Sequence, residues 1–305
     1  MTVAPMSFMT SESFAVLLGL EAESKIGGTF RTAPLHFAQG KELERHGRLK
    51  FYIKSFLPPT EKERDVIWSR FCARYLPAAV DRFLDLPIPT DAIGPAERGL
   101  ILDFPANNAW LEILVQIQHI PYFYKYLRSS SEIAAPGQRL SQVLASRLAD
   151  LSGRWESKMT TDPDMELREY YVAIAGCAVQ LLGTLCTYLI KVPDRNMVIT
   201  QETQVRMAPI LRTWALRYRN QLLGNVCIRL LAWFSGTKEF ERASNMVRKN
   251  SKNWDVCGLP LCSIRTDLKI CKRCHTVRYC CVEHQRADWS TSGSKHKLYC
   301  FETEY

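Results

Sequence analysis

Apolar residues along this chain recur mainly at the spacing of an amphipathic helix. Between Gly137 and Lys158, for example, Leu140, Leu144 and Leu148 fall four positions apart, which places them on one helical face. The same spacing predicts further helices over about 10–25, 61–86, 108–127, 201–219, 222–234 and 238–249, with breaks such as Gly27 and Gly28. Runs of alternating polarity, the pattern of a strand, are missing from the first 250 residues. The pattern therefore predicts a mainly α protein with an all-helical body. An armadillo-like helix array is compatible with it, although no repeat period is evident.

The clearest helix start lies at Thr60. Thr60 and Glu63 have the spacing at which a hydroxyl and a carboxylate cap each other's backbone N–H groups. The helix is predicted from Glu61 to Leu86, with a kink at Pro77, where a backbone donor is lost.

The segment from Tyr170 to Ile190 carries no charged residue and is long enough to cross a bilayer. Gln180, Thr184 and Thr187 make it only moderately apolar, and long helices are predicted on both sides of it. We therefore expect a central helix buried on all faces of the body, and a membrane span is the less favoured interpretation.

Four aromatic residues form a cluster before the helix at Gly137, namely Tyr122, Phe123, Tyr124 and Tyr126. Such a group can stack on bases or line a ligand pocket, but aromatic side chains in a helical stretch usually pack in a core. We expect the core role here.

The composition is that of an ordinary globular chain: 305 residues, 47% hydrophobic and 23% charged. No Lys or Arg precedes the first apolar run, so a secretory signal is not expected. Four cysteines lie far apart among apolar residues and are expected to be buried thiols (Cys72, Cys177, Cys186 and Cys227). A reducing compartment, cytoplasm or nucleus, is the expected location.

The remaining seven of the 11 cysteines lie between 257 and 300, with His284 and His296 among them. Zn²⁺ binds four thiolate or imidazole ligands in a tetrahedron, and a loop such as Cys271–Cys274 lets two sulfurs reach one ion. Eight ligands suit two closed sites. Because no ligand position is left open for water, both ions should be structural and not catalytic. The candidates, in order, are Cys257, Cys262, Cys271, Cys274, Cys280, His284, His296 and Cys300.

This segment resembles the MYND-type zinc finger. The similarity rests on the text from Cys271 to Cys280, on Gln285-Arg-Ala-Asp-Trp289, and on His296-Lys-Leu-Tyr-Cys300. Ligands interleave in that family, which implies one site of Cys257, Cys262, Cys280 and His284 and another of Cys271, Cys274, His296 and Cys300. The first pair has four intervening residues where two are usual, and His284 stands where the family usually has cysteine.

The resemblance also implies a domain organisation and a function. Residues 1–250 form the helical body, of unknown function, and residues 251–305 form the finger. Fingers of this type bind short proline-containing peptides, and the corresponding contacts here are Gln285 and Trp289, four apart on a predicted helix over 282–289. Trp289 can equally be the small core of the finger. The implied function is a protein–protein interaction adaptor and not an enzyme.

The alternative is an enzyme: a lysine methyltransferase, because some such enzymes carry this finger, or another enzyme with its activity in the helical body. Nothing in the chain resembles the Asn-His-Ser-Cys stretch or the Gly-x-Gly of their catalytic domain, and the body is helical where that domain is strand-rich.

Charge does not favour a nucleic-acid partner. The net charge is +9, but the finger contributes only nine basic against six acidic residues, and zinc-bound thiolates reduce that surplus.

Metal binding should supply most of the folding energy of so small a unit as the finger. We therefore expect Cys271→Ser to unfold the finger and to leave the helicity of the body largely intact.

Overall fold

The computed structural model describes residues 10–21, 41–55, 57–89, 95–189, 195–238, 240–242, 244, 246, 256–291 and 295–305. These residues form α-helices and one two-stranded antiparallel sheet, whose bounds are α1 Ser11–Leu17, α2 Glu42–Ser55, α3 Glu61–Leu84, α4 Pro95–Asp103, α5 Ala109–Ile117, α6 Pro121–Arg128, α7 Ala135–Thr161, α8 Met165–Tyr188, α9 Gln201–Arg217, α10 Leu222–Phe234, β1 Lys269–Ile270, β2 Arg278–Tyr279, α11 Val282–Ser290 and α12 Lys295–Tyr299. The predicted helical body is thus confirmed. Its armadillo-like arrangement stays a prediction.

Polar caps start the helices where the sequence indicates them. The Thr60 hydroxyl accepts the backbone N–H of Glu63 at 3.3 Å, and the Glu63 carboxylate bonds that hydroxyl at 2.5 Å instead of a backbone donor. Helix α3 then runs through Pro77 to Leu84, two residues short of the predicted end. Helix α10 has the predicted bounds, Leu222–Phe234.

Other segments differ from the prediction. The single helix expected over 108–127 is two helices, because Pro121 occupies the first turn of α6 and cannot continue α5. Helix α1 ends at Leu17, well before the expected end. Helices α2 and α4 were not anticipated from the sequence. The expected break at Gly27 and Gly28, most of the helix over 238–249 and the boundary between body and finger lie outside the described residues.

Helix α8 lies at the centre of the body and packs against α7 and α10. Between Tyr171 and Leu189 only Ala173 is exposed. Among the described residues, α8 is the one helix long and apolar enough to cross a membrane, and 50% of its most apolar window is buried within the protein. The packing accounts for the apolar composition of α8, since the core helix of a body such as this needs the same side chains.

A buried carboxylate ties three helices of the body together. Asp103, 0% exposed, accepts hydrogen bonds from Arg154 Nε at 2.9 Å, from Trp155 Nε1 at 3.0 Å and from Tyr171 Oη at 2.5 Å. A charge withdrawn from water is tolerated only with such partners, so the network fixes the ends of α4, α7 and α8 relative to one another.

Buried aromatic and thiol side chains fill the core of the body, as expected. Tyr122, Phe123 and Tyr126 are buried, and Tyr124 is half-buried beside Tyr188, with ring centroids 5.1 Å apart. The cluster therefore has the core role. The thiols of Cys72, Cys186 and Cys227 are fully buried, whereas that of Cys177 is half-buried.

The finger packs directly on the body. The Tyr122 hydroxyl accepts the backbone N–H of Phe301 at 2.7 Å and lies 2.8 Å from the carbonyl oxygen of Tyr299, to which it can donate. Tyr305 is 5% exposed, donates to the carbonyl oxygen of Cys72 at 2.8 Å, and stacks edge-on against Tyr126. The segment on either side of Cys300 is therefore held between α3 and α6.

Candidate metal centre

Short loops and a hairpin bring the candidate ligands of the finger together. Strands β1 and β2 pair Lys269 with Tyr279 and Ile270 with Arg278. The loop between them carries Cys271 and Cys274, and Cys280 directly follows β2. Helix α11 then carries His284, and α12 carries His296, so each histidine projects from a helix toward ligands that precede it in the chain.

The first cluster contains Cys257, Cys262, Cys280 and His284. The Sγ atom of Cys280 lies 3.7 Å from that of Cys257 and 3.9 Å from that of Cys262. His284 presents Nδ1 to the group, 3.0 Å from the sulfur of Cys280 and 3.6 Å from that of Cys257. Cys257 is buried and the other three ligands are half-buried.

The second cluster contains Cys271, Cys274, His296 and Cys300, all of them buried. The sulfur of Cys271 lies 3.9 Å from that of Cys300, and His296 Nε2 lies 3.3 Å from the sulfur of Cys274. The two histidines thus offer different ring nitrogens to their clusters.

Both clusters fit a tetrahedral zinc ion. With Zn–S near 2.3 Å and Zn–N near 2.0–2.1 Å, neighbouring sulfurs should lie about 3.8 Å apart, and sulfur and nitrogen about 3.5 Å apart. The sulfur–sulfur separations of 3.7–3.9 Å match that geometry, and they exclude disulfides, in which the sulfurs are about 2 Å apart. Four convergent soft ligands per cluster leave no position for water, so the ions bound here are structural.

Hydrogen bonds to its other ring nitrogen orient His296. The Tyr279 hydroxyl donates to Asp288 Oδ2 at 2.6 Å and lies within hydrogen-bond distance of His296 Nδ1. Since the hydroxyl has one hydrogen and gives it to the carboxylate, it accepts the Nδ1 hydrogen of the imidazole. This tautomer leaves Nε2 free to bind a metal, which is the usual arrangement behind a histidine ligand.

Local hydrogen bonds also favour thiolate at Cys257. Burial alone would raise the pKa of the Cys257 thiol, but backbone N–H groups of Cys280 and Leu259 donate to its sulfur and lower the pKa to about 7. A thiol that ionises near neutral pH is ready to bind zinc, because the thiolate is the ligand.

The two clusters lie in different surroundings. Cys271, Cys274 and Cys300 belong to the same apolar core as the helices of the body. Cys257 belongs to a separate small cluster with Val277 and Tyr279. Burial raises the pKa of Tyr122, the residue of α6 that bonds the backbone on either side of Cys300.

Cys281 and His275, the remaining cysteine and histidine of the finger, and the predicted peptide contacts Gln285 and Trp289 all lie outside both clusters. Cys281 and His275 are half-buried, and neither contributes to a four-ligand group. Gln285 and Trp289 lie on α11, both half-buried. The roles of Tyr279, Asp288 and Tyr122 were not anticipated; the position of Tyr279 directly before a ligand is the one sequence signal that pointed to any of them.

Comparison with known proteins identifies the finger. Residues 255–300 match the family model described as the MYND finger, and the body matches no family model. No curated protein matches the chain, and no solved structure matches it. Together with the two clusters, the match shows a zinc-binding module of the protein-interaction type at residues 255–300.

Proposed function

We propose that this protein is an adaptor whose MYND finger captures proline-containing peptides through Gln285 and Trp289. The observation that carries the proposal is the half-burial of Trp289: its indole packs against His296 and the apolar core, and the side chain keeps part of its surface exposed.

Helix α11 gives the two side chains a common orientation. It runs from Val282 to Ser290, so Gln285 and Trp289, four positions apart, lie on neighbouring turns of one face. His284 and Asp288 lie on the adjacent face, which binds the first metal and buries the carboxylate. The two zinc clusters therefore fix both the position and the rotation of α11.

The indole of Trp289 packs edge-on against His296, with ring centroids 5.7 Å apart and planes at 85°. That contact immobilises the ring before any ligand binds, which lowers the entropic cost of binding. A proline ring can stack on an immobilised indole, and a neighbouring amide can bond the carbonyls that an extended proline-rich segment leaves free.

The test uses the full chain and an array of synthetic proline-containing peptides, each paired with a peptide in which alanine replaces proline. We expect selective binding of the proline peptides. Trp289→Ala should weaken the best one about tenfold or more, as expected for an aromatic anchor, and Gln285→Ala should weaken it less.

Zinc content, measured by native mass spectrometry, serves as the control. Trp289→Ala should retain both zinc ions. If the variant loses zinc together with peptide binding, Trp289 belongs to the core of the finger and the assignment of the binding face is wrong. Equal binding of proline and alanine peptides would refute the proposed ligand class.

The proposal treats the protein as a binding protein without catalytic activity, located in the cytoplasm or nucleus, where thiols stay reduced. A lysine methyltransferase would bind S-adenosylmethionine. Equilibrium dialysis of the full chain against labelled S-adenosylmethionine should therefore show no binding, and saturable binding would favour an enzyme.

A further inference from the structure

The loop between the zinc ligands Cys257 and Cys262 exposes an aliphatic side chain. Leu261 is completely solvent-exposed, at 106% of its reference surface, and has a φ of 71°, a backbone region that costs a leucine about 1 kcal/mol or more. The turn is fixed, because the N–H of Cys262 donates to the carbonyl oxygen of Leu259 at 3.1 Å and Cys262 is a zinc ligand. An unfavourable conformation thus holds an apolar side chain in water.

Two isoleucines extend this exposed apolar surface. Ile264 and Ile270 are exposed, and backbone hydrogen bonds connect their segments. Ile264 accepts from Cys257 N at 2.9 Å, Gly258 N donates to Arg278 O at 2.7 Å, and Arg278 pairs with Ile270 across the hairpin. Directly paired residues of an antiparallel sheet project to the same side, so Ile270 and Arg278 share the face opposite the buried Tyr279.

Unpaired cations accompany these aliphatic side chains. Within the described part of the chain, no carboxylate pairs with any of the exposed basic residues Arg265, Lys269, Lys272, Arg273 and Arg278. In the body, some exposed arginines (Arg70, Arg74 and Arg206) do pair with an acidic residue, while others such as Arg82 and Arg212 have no such ion pair among the described residues. Those basic side chains of the finger make no ion pair among the described residues, so their charge is available to a ligand, while Asp267 and the zinc-bound thiolates offset part of it.

From this juxtaposition we infer a second docking surface on the finger, whose ligand is an acidic peptide segment that carries aliphatic side chains. We call it the basic–apolar surface and define it by Leu261, Ile264, Arg265, Ile270, Arg273 and Arg278. Aliphatic side chains of the ligand cover the three apolar residues, and its carboxylates pair with the arginines. The assignment is independent of the proline-peptide face on α11.

Charge and shape favour such a peptide over other partners. A nucleic-acid backbone would pair with the arginines but would leave Leu261 and Ile270 in water. A second copy of this chain would bring like charges together, which opposes association. An acidic peptide offsets the charge and covers the apolar surface, and a rigid leucine suits the role of a central anchor.

Fluorescence anisotropy with the full, zinc-loaded chain tests the inference. The probe is a short fluorescein-labelled peptide in which aspartate alternates with leucine. One comparison peptide has asparagine for every aspartate, and another has serine for every leucine. We expect the probe to bind, both comparison peptides to bind at least about tenfold more weakly, and the affinity for the probe to fall as salt is raised.

Variants locate the binding surface. Leu261→Ser, and separately Arg273→Gln with Arg278→Gln, should each weaken probe binding about tenfold or more while both zinc ions are retained. Matched controls on the body are Leu216→Ser, at another highly exposed leucine, and Arg82→Gln, at an exposed arginine. Neither control should change the affinity, and Trp289→Ala should not change it either.

Several results would overturn the inference. Unchanged affinity in Leu261→Ser, or the same loss in Leu216→Ser, would place the probe elsewhere. A Leu261-dependent dimer in sedimentation would assign the surface to a second copy. Tighter Leu261-dependent binding to vesicles of phosphatidylserine, or to a duplex oligonucleotide, would assign it to a membrane or to nucleic acid. Loss of probe binding in Trp289→Ala would show that the probe binds the proline-peptide face on α11 and not a second surface.

Discussion

Hydrogen bonds behind a ligand, and not only the ligand itself, determine how well the second site binds zinc. The hydroxyl of Tyr279 connects Asp288 to the Nδ1 atom of His296 and so holds the imidazole with Nε2 toward the sulfur of Cys274. Burial raises the pKa of Tyr279, and its hydrogen bond to Asp288 raises it further, so the phenol stays protonated and keeps donating to the carboxylate.

Tyr279→Phe keeps the ring and removes that hydroxyl. We expect zinc affinity at the second site to fall roughly tenfold or more, because partners behind a metal ligand typically contribute that much. Competition with a colorimetric chelator measures the affinity. The first site should be unaffected, and His275→Asn, at a half-buried histidine outside both clusters, is the control. Equal weakening of both sites would mean that the hydroxyl supports the whole finger.

Sequence reasoning was effective for these ligands and poor for their partners. Cysteines and histidines at short fixed spacings have few chemical roles, and the resemblance to a known finger implied how they divide between two ions. The hydrogen bond between Tyr279 and Asp288 could not be predicted from residue type and spacing. Asp288 is one acidic residue among several in the finger, and only the packing of α11 against α12 selects it.

At the scale of whole elements, the predictions held where local signals agree. Helix α10 begins after a polar turn and carries an apolar stripe, and both its ends were predicted. The segment from 108 to 127 looked continuous because its apolar spacing continues up to Pro121, which in fact begins a new helix. Six of the 14 residues of helix α2 are charged, and its burial of His46, Leu49 and Tyr52 depends on tertiary contacts that the sequence does not display.

Helix α6 connects the body to the finger through one hydroxyl. Tyr122 bonds the backbone on both sides of Cys300, so Tyr122→Phe would leave the part-buried N–H of Phe301 and carbonyl of Tyr299 with only their 3.2 Å bond to each other. We expect a loss of about 1–3 kcal/mol in the free energy of unfolding, measured by denaturant titration of the zinc-loaded chain. Tyr124→Phe is the control, because its hydroxyl bonds an exposed arginine and should contribute little. A similar loss in both variants would argue against this role.

Over the whole molecule, the two zinc sites contribute unequally to stability. The second cluster lies in the core shared with the body, whereas the first lies in a small cluster of its own. From the sequence we expect the body to stay helical when a zinc ligand is lost. The shared core adds a second expectation, that the body melts at a lower temperature when the second site is empty.

Cys274→Ser and Cys262→Ser separate these contributions. We expect Cys274→Ser to lower the Tm of the body by several degrees, since each kcal/mol corresponds to about 2–4 °C in a protein of this size, and Cys262→Ser to lower it much less. Circular dichroism at helical wavelengths reports the body, and native mass spectrometry counts the zinc ions in each variant. Equal shifts in the two variants would mean that body and finger unfold as one unit.

The contact between Tyr122 and the segment around Cys300 also has a consequence for the order of folding. It joins residues 177 positions apart in the chain, so it forms late in comparison with contacts inside the finger. The ligands of the first site lie within 28 residues of one another, from Cys257 to His284, and can gather while the body is still incomplete. The ligands of the second site span a similar 30 residues, from Cys271 to Cys300, but the segment around its last ligand is also held by Tyr122. We therefore expect this site to become fully ordered only when the finger docks on α6.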